Sequence, residues 1–395
     1  MPSDLRRSPD DLRETPYQRQ AVLGFRLLLF KPALEVEFRR YLTQQARLTQ
    51  RLGGVALVLV AGGYLFFEHI LLGIEEQPWS LELTLLRALQ MLVGGVVLLV
   101  SFDQRRQSAF SNWLLGFLLI LVGVIASQID LFYETSELPL KLRYGAGLLI
   151  VCCFFYLGVT FWWALLCAMV ILAGDVVLAK RALSPDQYSA HLIAVSYYLL
   201  LMAIGSISRY AHEYSQREQF LMRKQLGWMA EHDGLTGLSN RRSFDAALRR
   251  AVAQARREHL PLTLMLLDLD EFKAYNDTLG HPEGDRLLQD FSDLFERFAR
   301  RPLDLAARVG GEEFALLLYD CDAAAGRQLA EDILQRVRDR AFPHPASRRG
   351  TLTCSIGMAV LRGSETPERL YKHADDALYM AKQQGRDRGV LHHAG

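Results

Sequence analysis

The stretch Arg308-Val309-Gly310-Gly311-Glu312-Glu313-Phe314 sets two glycines between two short apolar runs, Ala306–Val309 and Phe314–Tyr319. Glycines flanked by strand-forming residues signal a hairpin turn, and this one carries two adjacent carboxylates. Working outward, Pro261–Asp268 reads as a buried strand ending in Asp268-Leu269-Asp270, and Thr351–Val360 as another. Over Asp285–Arg300, Leu287, Leu288, Phe291, Leu294, Phe295 and Phe298 recur on one helical face. Glu368–Gln384 does the same with Leu370, Ala374, Ala377, Leu378 and Ala381. Strands and helices mixed in this way predict an α/β domain, a central mostly antiparallel sheet flanked by helices.

A strand that delivers Asp268 at its end and a hairpin that presents Glu312 and Glu313 can bring acids together. Adjacent carboxylates repel unless a cation neutralises them, and hard oxygen ligands beside phosphate oxygens suit Mg²⁺. Lys273, Lys382 and Arg386 suit a triphosphate, and Asn276 and Asp285 suit a base edge. Any one of these residues taken alone is a solvated surface charge. Together they point to metal-assisted nucleotide chemistry.

The same segments, in the same order, resemble the GGDEF family of diguanylate cyclases, in the GGEEF form at 310–314. Asp233-Gly234-Leu235-Thr236-Gly237-Leu238-Ser239-Asn240-Arg241-Arg242 is similar to the family's opening motif. Asp268–Asp277 and Gly280–Asp285 resemble its metal and guanine blocks. Thr353–Gly357 and Ala374–Lys382 complete the set, so the resemblance covers 233–390. It implies cyclic di-GMP made from two GTP with release of two pyrophosphates, by two domains facing each other in a homodimer. It also implies two ions per site, Mg²⁺ with Mn²⁺ as the alternative. Asp268, the Leu269 carbonyl and Glu312 would hold metal, and Glu313 would deprotonate the 3′-hydroxyl or hold the second ion. Lys273, Lys382 and Arg386 would contact phosphates, Asn276 and Asp285 guanine, and Gly310 and Gly311 would let backbone approach the nucleotide. Arg301-Pro302-Leu303-Asp304 stands five residues before the glycines, the register in which family members bind the product as inhibitor; Arg327 and Arg336 are candidates for a second arginine there.

The other half of the chain differs in composition. The protein has 395 residues, half of them hydrophobic and 23% charged, with a net charge of +1. Leu52–Ser208 holds only 17 Asp, Glu, Lys and Arg in 157 residues, about 11%, against about 30% elsewhere. That asymmetry excludes a single soluble enzyme and a disordered chain, and the near-zero charge argues against a nucleic-acid partner. Six apolar stretches predict an all-α transmembrane bundle: Gly53–Leu72, Leu85–Ser101, Trp113–Gln128, Tyr144–Gly158, Phe161–Leu178 and Tyr188–Ser206. A five-span arrangement follows if the break near Gly158–Thr160 is not a turn.

Ten Lys and Arg precede the first stretch, Arg105 and Arg106 follow the second, and Glu75, Glu76 and Glu82 follow the first. Against the dissent of Lys141, Arg143, Lys180 and Arg181, that balance puts both termini in the cytoplasm of a bacterial inner membrane. The expected divisions are a cytoplasmic segment 1–51 with an interfacial helix over Ala33–Arg51, a lipid-embedded sensory domain 52–208, a signalling helix 209–232, and a cyclase domain 233–395. Ile207, Tyr214, Leu221 and Trp228, spaced by seven, predict a weak coiled-coil seam interrupted by Arg217 and Lys224.

Glu68, His69, Arg87, Asp175 and His191 fall toward the outer ends of the spans. They read either as a pocket for an unknown stimulus or as snorkelling ends with an Arg87–Asp175 pair. The five cysteines show no metal or disulfide spacing. Three functional classes compete: an active membrane-bound cyclase, an inactive receptor that binds GTP or cyclic di-GMP, and a cyclase of another nucleotide. Retention of the acidic set favours the first, and Asp285 favours GTP over ATP. No phosphodiesterase domain is expected to follow.

Overall fold

The computed structural model describes residues 16–71, 80–102, 109–136, 145–155 and 159–392. Glu75, Glu76, Arg105, Arg106, Lys141, Arg143 and Gly158, used above to orient the chain, lie outside these. The chain divides between Arg223 and Lys224 into two compact units.

The first unit is helical: α1 (Pro16–Leu23), α2 (Pro32–Phe66), α3 (Ser80–Phe102), α4 (Ala109–Thr135), α5 (Gly145–Phe155), α6 (Phe161–Ala182) and α7 (Pro185–Glu231), the last running into the second unit. Among the described residues, 32–70, 80–102, 113–135, 161–182 and 185–231 are helices long and apolar enough to cross a membrane. α5 is equally apolar but has 11 residues, about 16 Å of helix.

The residues expected as an interfacial helix continue without a break into the first apolar stretch as α2. Likewise the last apolar stretch and the signalling segment are one helix of 47 residues, α7. The predicted seam of α7 divides. Ile207 and Tyr214 are exposed, whereas Leu221 and its neighbour Phe220 are buried against Phe30, Leu34, Phe38 and Leu42.

Arg217, read above as an interruption of that seam, is fully buried. Its guanidinium donates to Glu35 Oε2 at 2.8 Å and to Glu213 Oε1 at 2.8 Å, and lies over the rings of Phe38 and Phe30. Glu213 Oε2 in turn accepts from the Phe161 amide at 2.6 Å, at the start of α6. Three segments distant in sequence are thus tied at one buried charge.

The polar residues singled out among the apolar stretches form two groups. Glu68, fully buried, accepts from Arg87 at 2.6 Å and from the Tyr133 hydroxyl at 2.5 Å, and Arg87 also donates to Gln90. His69 Nε2 lies 3.1 Å from Thr84 Oγ1. Asp175 pairs with His191 at 3.0 Å. The Arg87–Asp175 pair therefore does not form. Glu68, on the helical turn after α2, takes both the Nε and the Nη2 of Arg87, while Asp175 is engaged by His191.

The second unit contains α8 (Arg241–Glu258), β1 (Leu262–Leu269), α9 (Phe272–Leu279), α10 (His281–Phe295), β2 (Leu305–Arg308), β3 (Glu313–Tyr319), α11 (Ala323–Arg340), β4 (Cys354–Val360), α12 (Pro367–Gln383) and β5 (Gly389–Leu391). The sheet order is β2-β3-β1-β4-β5, antiparallel except for the parallel β4–β5 pair. Every residue of β1 is buried, which is why Leu-Thr-Leu-Met-Leu-Leu reads as a continuous run rather than an alternating one. Met265, Leu267 and Leu269 face Phe291, Phe295, Phe314 and Ile333 on one side. Leu262, Leu264 and Leu266 face Phe244, Leu248, Leu370 and Leu378 on the other. The sheet is thereby sandwiched, and the C-terminal end of its central strand is left to carry the polar residues.

Candidate functional site

The β1–β3 register sets Asp268 opposite Glu313, and the Leu269 amide donates to the Glu312 carbonyl at 3.3 Å. Asp268 and the two glutamates are brought together at one end of the central strands by pairing, not by chain proximity. Lys382, in the last turn of α12, reaches back so that its Nζ lies 2.8 Å from Asp268 Oδ2. Burial pushes the Asp268 carboxyl up to about 6; Lys382 pulls it down, and Glu312 and Glu313 push it up again. A carboxylate that is buried and crowded by two others is under-neutralised, and a divalent cation would relieve it. The donor set, two carboxylates and the Leu269 carbonyl, is all oxygen and fits a hard ion. Among the described residues no three His, Cys, Asp or Glu side chains form a ready cage, in keeping with a site that needs a backbone carbonyl and nucleotide oxygens to complete it.

The hairpin turn is held from two sides. The Val309 and Gly310 amides donate to the Glu313 carbonyl at 2.9 and 3.3 Å. Arg308 donates to the Gly311 carbonyl at 2.7 Å and to Asp233 Oδ1 at 2.9 Å. Burial would raise the Asp233 carboxyl, but hydrogen bonds from Thr236 and Arg308 outweigh it and hold the group below its usual range. The opening motif is therefore a brace for the turn, a role its composition alone does not disclose.

The expected base-reading residues meet where α9 and α10 join. Asn276 Oδ1 is buried and has no hydrogen-bond partner among the described residues. A Cβ added at Gly284 would collide with that oxygen, so the glycine keeps open the ground beside it. Asp285, one residue on, is exposed, as is Lys273. A buried polar atom left unpaired costs roughly 1–3 kcal/mol, and a donor-bearing ligand would recover it.

Arg386 follows α12 and lines a cavity of about 380 Å³ with Asp270, Glu271, Arg348, Arg349 and Thr353. Asp270 is 4% exposed and accepts from Thr353 Oγ1 and Ser355 Oγ, each at 2.7 Å. Burial raises its carboxyl above the ordinary value, against the pull of those two hydroxyls.

Arg301 and Asp304 sit on the turn before β2. Asp304 accepts from the amides of Arg301 at 2.9 Å and Tyr319 at 3.1 Å, and Arg301 donates to the Tyr319 and Asp320 carbonyls. The Arg301 side chain is still 58% exposed. Of the two further arginines, Arg336 lines a cleft of about 560 Å³ with Arg297 and Arg300, a cleft that Arg301, Asp304 and Arg327 do not line.

The family model for the GGDEF domain of diguanylate cyclases matches residues 230–388. Residues 230–388 are a GGDEF diguanylate cyclase domain. The chain is 36% identical over 164 residues to the diguanylate cyclase DgcS of Shewanella oneidensis, covering 42% of this chain and 53% of that one. It is 40% identical over 159 residues to the diguanylate cyclase DgcP of Pseudomonas aeruginosa, 40% of this chain and 23% of that one. The chain thus spans about half or less of these two relatives. The GGDEF domain of DgcB from Caulobacter crescentus, solved in complex with c-di-GMP, is 36% identical, with 42% of this chain and 94% of that one covered and a TM-score of 0.39. Within the GGDEF domain here, Asp233, Asp270 and Arg308 escaped the reading of the sequence as site-forming residues. Their position inside the matched motifs was the signal available.

Proposed function

We propose that this protein is a membrane-bound diguanylate cyclase that joins two GTP into cyclic di-GMP. The observation that carries this is Asp268 at the end of the central strand, in register with Glu313 on the glycine hairpin and 2.8 Å from Lys382. In each of two steps a 3′-hydroxyl oxygen attacks the α-phosphorus of the other GTP. The bond to the β-phosphate bridging oxygen breaks and pyrophosphate leaves.

Asp268, the Leu269 carbonyl and Glu312 would hold Mg²⁺ or Mn²⁺, with Glu313 taking the hydroxyl proton or holding a second ion. When bound, the metal neutralises developing charge on the phosphate oxygens. Lys273, Lys382 and Arg386 bind the triphosphate, and Asn276 and Asp285 orient guanine. The attack runs between two nucleotides, so two domains of a homodimer must face each other. Because Asp268 holds a proton up to about pH 6 in the ion-free domain, protonation competes with the metal. Mg²⁺ affinity, measured by titration between pH 5 and 7.5, is expected to fall about tenfold per pH unit below pH 6 and to level off above it.

Six crossings, α5 among them, place both termini on the cytoplasmic side. Product binding at Arg301 and Asp304, with Arg327 or Arg336 as the second arginine, would inhibit. The first unit regulates the second through α7, whose pairing in a dimer determines whether the two GGDEF domains meet; the stimulus acts on the embedded helices. The second reading, an inactive receptor for cyclic di-GMP or GTP, keeps the nucleotide contacts without turnover.

Full-length protein in nanodiscs with GTP and Mg²⁺ separates these readings. Chromatography is expected to yield cyclic di-GMP from the parent and none from Glu313→Ala. No product from the parent, with cyclic di-GMP bound tightly and released by Arg301→Ala, would establish the receptor instead.

A further inference from the structure

The segment that carries Arg386 is strained. Gly385, Arg386 and Asp387 follow one another at φ 109°, 62° and 51°, so two successive non-glycine residues sit in the left-handed region. L-residues adopt that region at a cost, and such conformations persist only where surrounding contacts over-determine them. Here the contacts come from both sides of the turn.

On the sheet side, the Asp387 amide donates to Asp270 Oδ2 at 3.2 Å. Asp270 is itself locked by the hydroxyls of Thr353, just before β4, and Ser355, on β4. On the helix side, Arg338 of α11 donates to Asp387 Oδ1 and to its carbonyl, both at 3.0 Å, and Arg349 also pairs with the Asp387 carboxylate. The Arg386 amide closes onto the Ala381 carbonyl at 3.1 Å. The Arg386 side chain, by contrast, makes no hydrogen bond or ion pair among the described residues and lines the 380 Å³ cavity, where its charge also draws on the Asp270 carboxylate. The backbone is held by hydrogen bonds on both sides, while the Arg386 side chain has none.

We infer that Asp270 and Asp387 are positioning residues that fix the turn after α12 so that Arg386 meets the terminal phosphates of the nucleotide. This rests on the reading of Arg386 as a phosphate contact. Asp270 stands two residues from Asp268 in the chain. One strand end therefore carries a carboxylate for the cation and a second that aims a counter-charge at the same triphosphate.

The test is a double-mutant cycle on full-length protein in nanodiscs, with binding of a non-hydrolysable GTP analogue and of GMP as separate readouts. Arg386→Ala is expected to weaken the analogue about tenfold, the loss of one charge-assisted contact, and to leave GMP binding unchanged. Asp270→Ala and Asp387→Ala should each reproduce that phosphate-dependent loss and add nothing to it in the Arg386→Ala background. Asp270→Asn, whose amide oxygen can still accept from the Asp387 amide, should restore most of it. Should Asp270→Ala fail to fold, Asp387→Ala carries the cycle, since that residue lies outside the strand. Losses that add to that of Arg386→Ala, or that affect GMP equally, would mean the two aspartates are merely structural and overturn the inference. An Arg386→Ala protein that binds the analogue like the parent would remove the phosphate reading itself, and the inference with it.

Discussion

Gly310→Ala is expected to fold like the parent and to lose about 100-fold or more of the proposed cyclic di-GMP synthesis, the scale of losing a positioned proton acceptor. A Cβ built at Gly310 lands in collision with Glu313 Oε2, 3.1 Å from its Cδ and 3.2 Å from its Cβ. Glu313 must swing away, and with it goes the carboxylate that the β1–β3 register sets opposite Asp268. The fold is spared because the side chain displaced is exposed and the turn's backbone bonds, from the Val309 and Gly310 amides to the Glu313 carbonyl, involve no side chain. Gly311 provides the contrast: a Cβ there meets nothing within 4 Å, so Gly311→Ala leaves the nucleotide-free domain undisturbed. Product chromatography beside thermal unfolding of both variants checks this. Turnover by Gly310→Ala equal to that of the parent would show that Glu313 need not stand where the hairpin holds it.

Arg217→Ala is expected to destabilise the first unit by about 3–5 kcal/mol, the cost of leaving buried partner charges uncompensated. Glu213 has a side chain only 1% exposed and that of Glu35 is 11% exposed. Both lose their main cation, while the rings of Phe30 and Phe38 lose the guanidinium packed on them. Arg39, at 3.1 Å from Glu35, is itself 48% exposed and compensates little. Replacing the whole cluster, as Arg217→Met with Glu35→Gln and Glu213→Gln, should recover much of the loss, because an unpaired buried charge costs more than an absent one. Thermal unfolding in nanodiscs, followed by tryptophan fluorescence, reads the difference. A single variant as stable as the parent would mean that water reaches these carboxylates. Because the cluster joins α7 to α2 and to the start of α6, the same variant should also alter the proposed regulation of activity by the helical unit.

Much of this was legible from residue pattern. The Leu262–Leu267 run, the paired glycines before Glu312 and the apolar face of α10 are short-range signals, and each yields its element within a few residues. The helix α8 is hard to see in the sequence because its arginines mask the sparse stripe of Phe244, Leu248, Val252 and Ala255 that it buries. β5 has three residues and exists only because β4 offers a parallel edge, which no local propensity announces. Among the site residues, Asp268, Glu312 and Glu313 stood out because unlike chemistry was concentrated in motifs. Asp270 lies in the same motif, yet its role depends on Thr353, Ser355 and Asp387, which lie 83, 85 and 117 positions away.

The sequence by itself determined the split between an apolar helical half and an α/β half, and the identity of the acids, bases and glycines at the hairpin. Periodicity, turn chemistry and hydropathy act over a few residues and need no partner. Only the tertiary structure decided which charges meet. Arg87 takes Glu68 and not Asp175, Arg217 takes a glutamate 182 positions away, and Arg386 stands on a strained turn held by Asp270 and Asp387. Pairing of buried charges is set by which elements pack, and by the cost of leaving any of them alone in a low-dielectric interior; that is a property of the assembled fold.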